Sequence, residues 1–297
     1  DVYKRQPIFC LNGNTHVYGY EALTRVKQDA GIANISDLFQ IAKVNGILTT
    51  LDITCLSNAV REAAHNGLKD QDGYLFVNIT PETLCDSSYC ISITNEIVGS
   101  MGFDRNRVVF EITEEGMVKN FDRFKRIVAA YKEAGYKVAI DDFGAGYGGL
   151  KMLSIIEPDF VKIDRHFISN IDKAIINYNL VDSITITCHR MGIKLVAEGI
   201  EREEELNIVG SMGIDLCQGF YLCRPQPSLD CNAETLKEFK QRIADSINLR
   251  SQGAETKFIG DIIKQVPTVS PDVPVKDVIN SLLDNTSLNC LPIVDGN

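Results

Sequence analysis

The chain has 297 residues, of which 44% are hydrophobic and 24% are charged, and its formal net charge is −10. This length allows one large barrel or two ordinary domains with a substantial core. The acidic balance offers no basic surface for nonspecific binding of DNA or RNA polymers, so we expect neither as a partner. An anionic ligand would need local positive charge, which metal ions held by carboxylates commonly supply.

Nine cysteines occur, at positions 10, 55, 85, 90, 188, 217, 223, 231 and 290. Their number is odd and no two are spaced C-x-x-C, which predicts neither a zinc site nor a disulfide framework and favours a reducing, cytoplasmic setting. The sequence contains no run of about 18 apolar residues and no signal-peptide pattern. We therefore expect this segment itself neither to contact a membrane nor to be secreted.

Residues 1–6 resemble the translation of a transposon-end adapter, so we expect the gene-encoded chain to begin near residue 7. From there to about residue 225, short β-rich runs alternate with longer helical stretches, which predicts parallel strands joined by crossover helices. The predicted strands cover residues 8–11, 17–26, 74–79, 108–113, 137–143, 160–164, 194–200 and 216–222. Eight such strands favour an α/β fold of the TIM-like (β/α)8 barrel type. An open doubly wound sheet is the alternative, which the lack of a G-x-G-x-x-G fingerprint after the first strand disfavours.

The helical segments between the strands include residues 36–66, 121–134 and 175–191. Ser36 is the expected N-cap of the first, and Gly135 and Gly192 stand where helix C-caps usually occur.

Beyond residue 225 the alternation ends, and residues 233–249 predict one amphipathic helix. We assign residues 7–250 to the barrel, residues 251–257 to a linker, and residues 258–297 to a small α/β unit that is too short to bury a core alone. The last three residues are a turn signal after the apolar residues 291–294, where a further strand is expected, so we expect a fragment of a longer chain.

Residues that can bind metal ions or phosphate recur at or near the ends of the predicted strands. They are Glu21, Arg25, Asn78, Glu111, Asp141, Asp142, Lys162, Asp164, Glu198 and Gln218. The carboxyl ends of barrel strands converge on one mouth. Alternation with a period of two places Lys162 on the same face as Asp164. Acidic residues at inner positions of a barrel require compensation by cations.

Oxygen ligands without histidine suit Mg²⁺ or Mn²⁺. Two such ions sharing Asp141 would grip a phosphodiester, lower the pKa of a water and steady the leaving oxygen, which predicts hydrolysis. Each motif also has a simpler interpretation. Asp141 and Asp142 could form a turn with a helix cap, Lys162 and Asp164 a surface ion pair, and Asn78 could stabilise a turn. One shared site explains all of them together.

Seven motifs in chain order resemble the EAL-domain cyclic-di-GMP phosphodiesterases of bacteria over about residues 7–245. They are GYEALTR at 19–25, FVNI at 76–79, FEITE at 110–114, DDFG at 141–144, VKID at 161–164, AEGIE at 197–201 and QGF at 218–220. Glu21-Ala22-Leu23 alone is a common tripeptide, but seven motifs in the right order are highly specific. The resemblance implies that one phosphodiester bond of cyclic-di-GMP is opened to give linear pGpG, with two Mg²⁺ or Mn²⁺ ions.

The resemblance also implies residue roles. The metal ligands are Glu21, Asn78, Glu111, Asp141 and Asp142. Catalysis is assigned to Lys162 and Glu198, which orient or deprotonate the attacking water, together with Glu21. Substrate or water contacts are assigned to Arg25, Asp164, Gln218 and Glu201. Glu114 braces the loop after Asp142, which includes Phe143 and Gly144 and couples homodimer contacts through the barrel to the site.

Some positions depart from the common family pattern. Ala145 and the pair Gly148-Gly149 stand where threonine and a serine pair are usual, which removes hydroxyl groups and adds backbone freedom to the coupling loop. The tail, at residues 269–275 and 291–295, resembles the first part of a CBS motif. CBS motifs usually occur in pairs and often bind adenine nucleotides, so we expect a second motif in the natural protein.

Two other functions are compatible with a barrel of this kind. A catalytically inactive cyclic-di-GMP receptor would use the same pocket to regulate a neighbouring domain. Inactive relatives typically lack a metal ligand or the lysine, whereas this chain retains the complete set. An unrelated TIM-barrel metallohydrolase would require seven coincidental motif matches.

Overall fold

A computed structural model describes residues 2–11, 16–26, 31–86, 89, 91–113, 121–146, 148–227, 241, 272–274 and 276–277. The chain divides into two compact units, Asp1–Ala244 and Asp245–Asn297. Almost all of the predicted linker and CBS-like segment lies outside the described residues, so both assignments stay predictions.

Eight strands in the described part of the first unit close into a barrel in chain order. They are β1 (Val2–Cys10), β2 (Val17–Arg25), β3 (Tyr74–Asn78), β4 (Val108–Thr113), β5 (Lys137–Phe143), β6 (Phe160–Ile163), β7 (Lys194–Ala197) and β8 (Leu216–Cys217). Because β1 pairs with β8, the sheet has no open edge of the kind that a doubly wound fold would leave. The TIM-like barrel prediction is confirmed.

The first strand runs against the others. β1 pairs antiparallel with both β2 and β8, whereas every later neighbouring pair is parallel. The prediction of a uniformly parallel order is therefore wrong for β1. The physical reason is the short connection, because residues 11–16 cannot form the crossover of about a dozen or more residues that a parallel pair requires.

Nine helices are described around the barrel. They are α1 (Ile35–Val44), α2 (Leu48–His65), α3 (Pro81–Leu84), α4 (Ile91–Ser100), α5 (Phe121–Glu133), α6 (Gly149–Ile156), α7 (Arg165–Ile168), α8 (Ile175–Arg190) and α9 (Glu203–Ser211). Among these helices, none combines the length and the apolar character needed to cross a bilayer.

The long helix predicted over residues 36–66 is in fact two helices. Gly46 adopts a φ of 68°, which breaks the helix between α1 and α2. The predicted N-cap Ser36 is also wrong, because Asn34 occupies that position and its side-chain oxygen accepts a 2.9 Å hydrogen bond from the Asp37 amide. An asparagine two residues earlier supplies the same capping chemistry.

Gly135 and Gly192 end their helices as predicted. Both have positive φ, of 100° and 73°. In each case the next residue closes the helix end, since the Tyr136 amide donates to the Tyr131 carbonyl oxygen at 3.1 Å and the Ile193 amide to that of Cys188 at 2.9 Å. This is the Schellman arrangement that favours glycine.

Candidate active site

The barrel interior contains an apolar layer beneath a polar layer. The apolar layer consists of Ile8, Phe76, Val109, Ala139, Phe160, Val196 and Leu216. The polar layer consists of Glu21, Asn78, Glu111, Asp141, Lys162, Glu198 and Gln218. From β3 to β8 each polar residue, within the strand or directly after its last residue, lies two positions after an apolar one, and strand side chains alternate with a period of two. Both layers therefore face the interior, and the polar layer lies at the carboxyl end of the strands.

Lys162 is the centre of the polar layer. Its side chain is only 1% exposed, which excludes the surface ion pair considered for it. The ammonium nitrogen Nζ lies 2.7 Å from Glu111 Oε1, 2.8 Å from Glu198 Oε1, 3.0 Å from Asp141 Oδ1 and 3.4 Å from Glu21 Oε2. One cation therefore connects carboxylates from four other strands or strand ends.

Two amides cross-link the same carboxylates. Asn78 Nδ2 donates to Glu111 Oε2 at 3.0 Å and to Glu21 Oε1 at 3.3 Å. Gln218 Nε2 donates to Glu21 Oε2 at 2.8 Å and to Glu198 Oε1 at 2.9 Å. Because both amides donate through nitrogen, their oxygens are the atoms that can act as ligands. Gln218 Oε1 is buried without a hydrogen-bond partner among the described residues.

A local irregularity in β5 brings Asp142 into the site. Adjacent residues in a regular strand face opposite sides, but the pairing of β5 with β6 shifts register between Ile140 and Phe143, and Asp142 has a φ of 51°. Carboxylate oxygens of Asp142, Asp141 and Glu198 consequently lie within 4.8 Å of one another. Asp141 and Asp142 are part of β5, not a simple turn with a helix cap.

The site carries more negative than positive charge. Burial raises the pKa of Glu111 and of Glu198 well above the usual value, and neighbouring carboxylates add to the effect. Burial and the charge of Asp141 raise the pKa of Asp142 to about 6. Burial alone lowers the pKa of Lys162, but the surrounding carboxylates outweigh it and raise that pKa. Further positive charge would relieve this repulsion.

The donor set fits hard divalent cations. Glu21, Glu111 and Asp141 form one group whose ligand atoms lie within 4.8 Å of one another, and Asp141, Asp142 and Glu198 form a second. All donors are oxygens, which suits Mg²⁺, Mn²⁺ or Ca²⁺. Asp141 belongs to both groups.

A cavity of about 560 Å³ opens beside the polar layer, between the ends of β2 and β3 and the helices α1 and α2. Arg25, a predicted phosphate contact, lines it. Sequence reasoning missed Asp52, a buried residue of α2 that also lines the cavity. Its Oδ2 accepts from the Thr80 amide at 3.2 Å, and burial raises its pKa. The available signal was an acid in an apolar helix stripe, one turn before the buried Leu56.

Other predicted site residues have different surroundings. Asp164 caps α7, where its Oδ1 accepts from the His166 amide at 2.8 Å. Glu201 forms an ion pair with Arg165 at 2.9 Å. Neither has a described contact with Lys162.

The predicted coupling loop is only partly described. Phe143 is buried in the outer hydrophobic core. Gly144 has a φ of 98°, and a Cβ there would lie 2.5 Å from the Phe167 ring. Only glycine fits at this close approach. Glu114 lies outside the described residues.

A sequence profile described as the EAL domain matches residues 3–225. The chain belongs to the EAL-domain family. Among curated relatives, the cyclic di-GMP phosphodiesterase PdeF of Escherichia coli (strain K12) is 28% identical over 229 residues, covering 76% of this chain and 30% of PdeF. The chain thus spans about a third of that relative's length.

Solved structures of the family have the same fold. A standalone EAL protein from Vibrio cholerae O395 with bound c-di-GMP is 31% identical, with a TM-score of 0.68, covering 79% of this chain and 96% of that one. BlrP1 of Klebsiella pneumoniae, in a complex with manganese and c-di-GMP, is 30% identical with a TM-score of 0.68, covering 75% and 55% of the two chains. A calcium complex of BlrP1 with c-di-GMP has a TM-score of 0.69.

Proposed function

We propose that this EAL domain hydrolyses cyclic-di-GMP to linear pGpG with the help of Mg²⁺ or Mn²⁺, and so lowers the level of a bacterial second messenger. The observation that carries the proposal is the polar layer itself. Carboxylates of Glu21, Glu111, Asp141, Asp142 and Glu198 surround the single ammonium of Lys162. Such charge imbalance in a buried site favours the binding of cations.

The metal-binding part of the proposal rests on the two oxygen groups that share Asp141. Glu21, Glu111, Asp141, Asp142 and the Asn78 side-chain oxygen would hold two ions. When bound, these ions supply charge neutralisation at the phosphodiester and a lower pKa for the attacking water. Calcium and manganese accompany c-di-GMP in the BlrP1 structures.

The protein side chains have separate tasks in this proposal. Lys162 would orient the attacking water, and Glu198, whose Oε1 lies 2.8 Å from Lys162 Nζ, would take up its proton. Gln218 fixes the Glu198 carboxylate through its 2.9 Å hydrogen bond. Arg25 on the cavity wall contacts a substrate phosphate.

We also propose a homodimer and a regulatory CBS pair. Homodimer formation through the barrel would act on the site through the loop after Asp142. A complete CBS pair would bind an adenine nucleotide and regulate the barrel.

The test is direct product analysis. Purified protein is incubated with cyclic-di-GMP and either Mg²⁺ or Mn²⁺, and the nucleotides are separated by chromatography. We expect pGpG. Tight binding of cyclic-di-GMP by folded protein without any product would instead support the inactive receptor.

A further inference from the structure

The cavity beside the polar layer presents few positive charges to an anionic ligand. Its described walls contain two cationic side chains, Arg25 and Lys43, together with the acids Asp52, Glu82, Asp141 and Asp142. A cyclic dinucleotide carries two phosphate charges, and the whole chain has a net charge of −10. Each cation on the cavity wall therefore contributes strongly to the local potential that the ligand meets.

Arg25 and Lys43 come from different elements. Arg25 ends β2, and its Nη1 donates to the Thr24 carbonyl oxygen at 2.9 Å. Lys43 lies in the last turn of α1, the helix that forms another wall of the cavity. A ligand that spans the cavity can thus meet one cation from the strand and one from the helix.

The ion pair that Lys43 forms is weakly constrained. Its Nζ lies 2.6 Å from Glu82 Oε1 on α3, but the two side chains are 55% and 43% exposed. Exposed ion pairs contribute little to stability because water and salt screen them. The ammonium can therefore turn from Glu82 to a more strongly charged acceptor at small cost.

We propose that Lys43 is a ligand-binding residue, which attracts the anionic cyclic dinucleotide into the cavity, where the dinucleotide competes with Glu82 for the Lys43 ammonium. The inference rests on the proposed function for the identity of the ligand. Lys43 has no described contact with the polar layer, so its contribution is to affinity and association. It does not act on the reacting phosphodiester.

Two single variants separate this role from a structural one. Lys43→Gln and Glu82→Gln remove the same ion pair, so a structural role predicts equal effects. Ligand attraction predicts opposite effects. Lys43→Gln should raise KM roughly three- to tenfold with little change in kcat. Glu82→Gln should lower KM, because it frees the lysine and removes a negative charge.

The charge swap Lys43→Glu with Glu82→Lys restores an ion pair but moves the ammonium to α3. Binding of cyclic-di-GMP should stay weak if Lys43 acts on the ligand, and it should recover if only the ion pair between α1 and α3 is needed.

Lys69→Gln, near the amino end of β3 and hence at the opposite mouth of the barrel, is the matched control. A salt series should show a weaker ionic-strength dependence of kcat/KM for Lys43→Gln than for wild type.

The measurements are steady-state hydrolysis with Mn²⁺ and equilibrium binding of cyclic-di-GMP with Ca²⁺, the ion present in one BlrP1 complex. Absence of turnover in the wild type defeats the proposed function, whereas the Ca²⁺ binding series still reports on Lys43. Equal shifts in the two single variants, or an unchanged affinity in Lys43→Gln, would overturn the inference.

Discussion

The apolar layer of the barrel interior and the centre of the polar layer are both buried but opposite in chemistry, whereas Asn78 is exposed and Glu198 is half-buried. Phe76 and Val109 are fully buried, and so are Glu111 and Lys162, at 0% and 1% exposure. A barrel built only for stability fills its interior with branched apolar side chains. Buried ions lose hydration that their mutual attraction often fails to restore. The apolar layer therefore stabilises the fold, whereas the polar layer places buried charge, at a cost in stability, where it can bind a cation.

The largest effect should follow from deleting a polar-layer carboxylate. Glu198→Ala and Glu21→Ala should each lower kcat by orders of magnitude, about 10²-fold or more, because the proposed proton acceptor or metal ligand is lost. Thermal stability in EDTA should be kept or raised, because like-charge repulsion falls. Glu133→Ala, at the exposed end of α5, is the control. Near-wild-type turnover of either variant would contradict the assigned roles.

In the apolar layer we expect the opposite pattern, a large loss of stability with a smaller loss of activity. Phe76 is fully buried, with its ring centroid 5.3 Å from that of Phe160. Phe76→Ala should lower the free energy of unfolding by about 3 to 5 kcal/mol through the cavity that it leaves. Denaturant unfolding measures this loss, and activity per folded molecule should fall far less than in Glu198→Ala. A loss of unfolding free energy below about 1 kcal/mol would contradict close packing of Phe76 in this layer.

Lys162→Met tests the connection between the carboxylates. Without the ammonium, Glu111, Asp141 and Glu198 keep only each other and the amides, so the unfolding free energy in EDTA should fall by about 3 kcal/mol. Added Mn²⁺ should restore part of the melting temperature, because a bound cation replaces the missing charge. No Mn²⁺-dependent shift in either protein would argue against a metal at this site.

The smallest effect concerns the support of the β7 end, from which Glu198 projects. The buried Glu205 accepts from the amides of Glu201 at 2.9 Å and Arg202 at 3.1 Å, and from that of Asn170 at 2.9 Å. Glu205→Ala should cost about 1 to 3 kcal/mol of unfolding free energy, because these amides lose their acceptor. Glu205→Gln should recover part of it, since one oxygen remains. Equal melting temperatures for wild type, Glu205→Ala and Glu205→Gln would contradict a supporting role of Glu205.

The sequence alone predicted much of the barrel and its polar layer. Strand positions followed from β-rich runs between helical segments, and the predicted bounds of β4 and β5 match the structure. Alternation with a period of two separates the face of Lys162 from that of Val161 and Ile163, and in the structure Lys162 lies inside the barrel. These inferences depend on local alternation, which a single sequence records.

Features that depend on tertiary structure were not predictable in this way. The register shift that brings Asp142 beside Asp141 appears only once β5 pairs with β6. Likewise, Glu201 was assigned by motif alone, and its pairing with Arg165 depends on the α7 turn packing against the β7 end. The cavity residues Lys43 and Asp52 lie on helices outside the seven motifs, and only Asp52 gave a signal, as an acid in an apolar helix stripe.

The most direct test of the proposed hydrolysis is pGpG formation by EDTA-treated wild-type protein before and after Mn²⁺ is restored, with Glu21→Gln measured in parallel. We expect no product in EDTA, product after Mn²⁺ is added to wild type, and little or none from Glu21→Gln at any Mn²⁺ concentration. Folded wild-type protein that binds cyclic-di-GMP and Mn²⁺ yet forms no pGpG would contradict it.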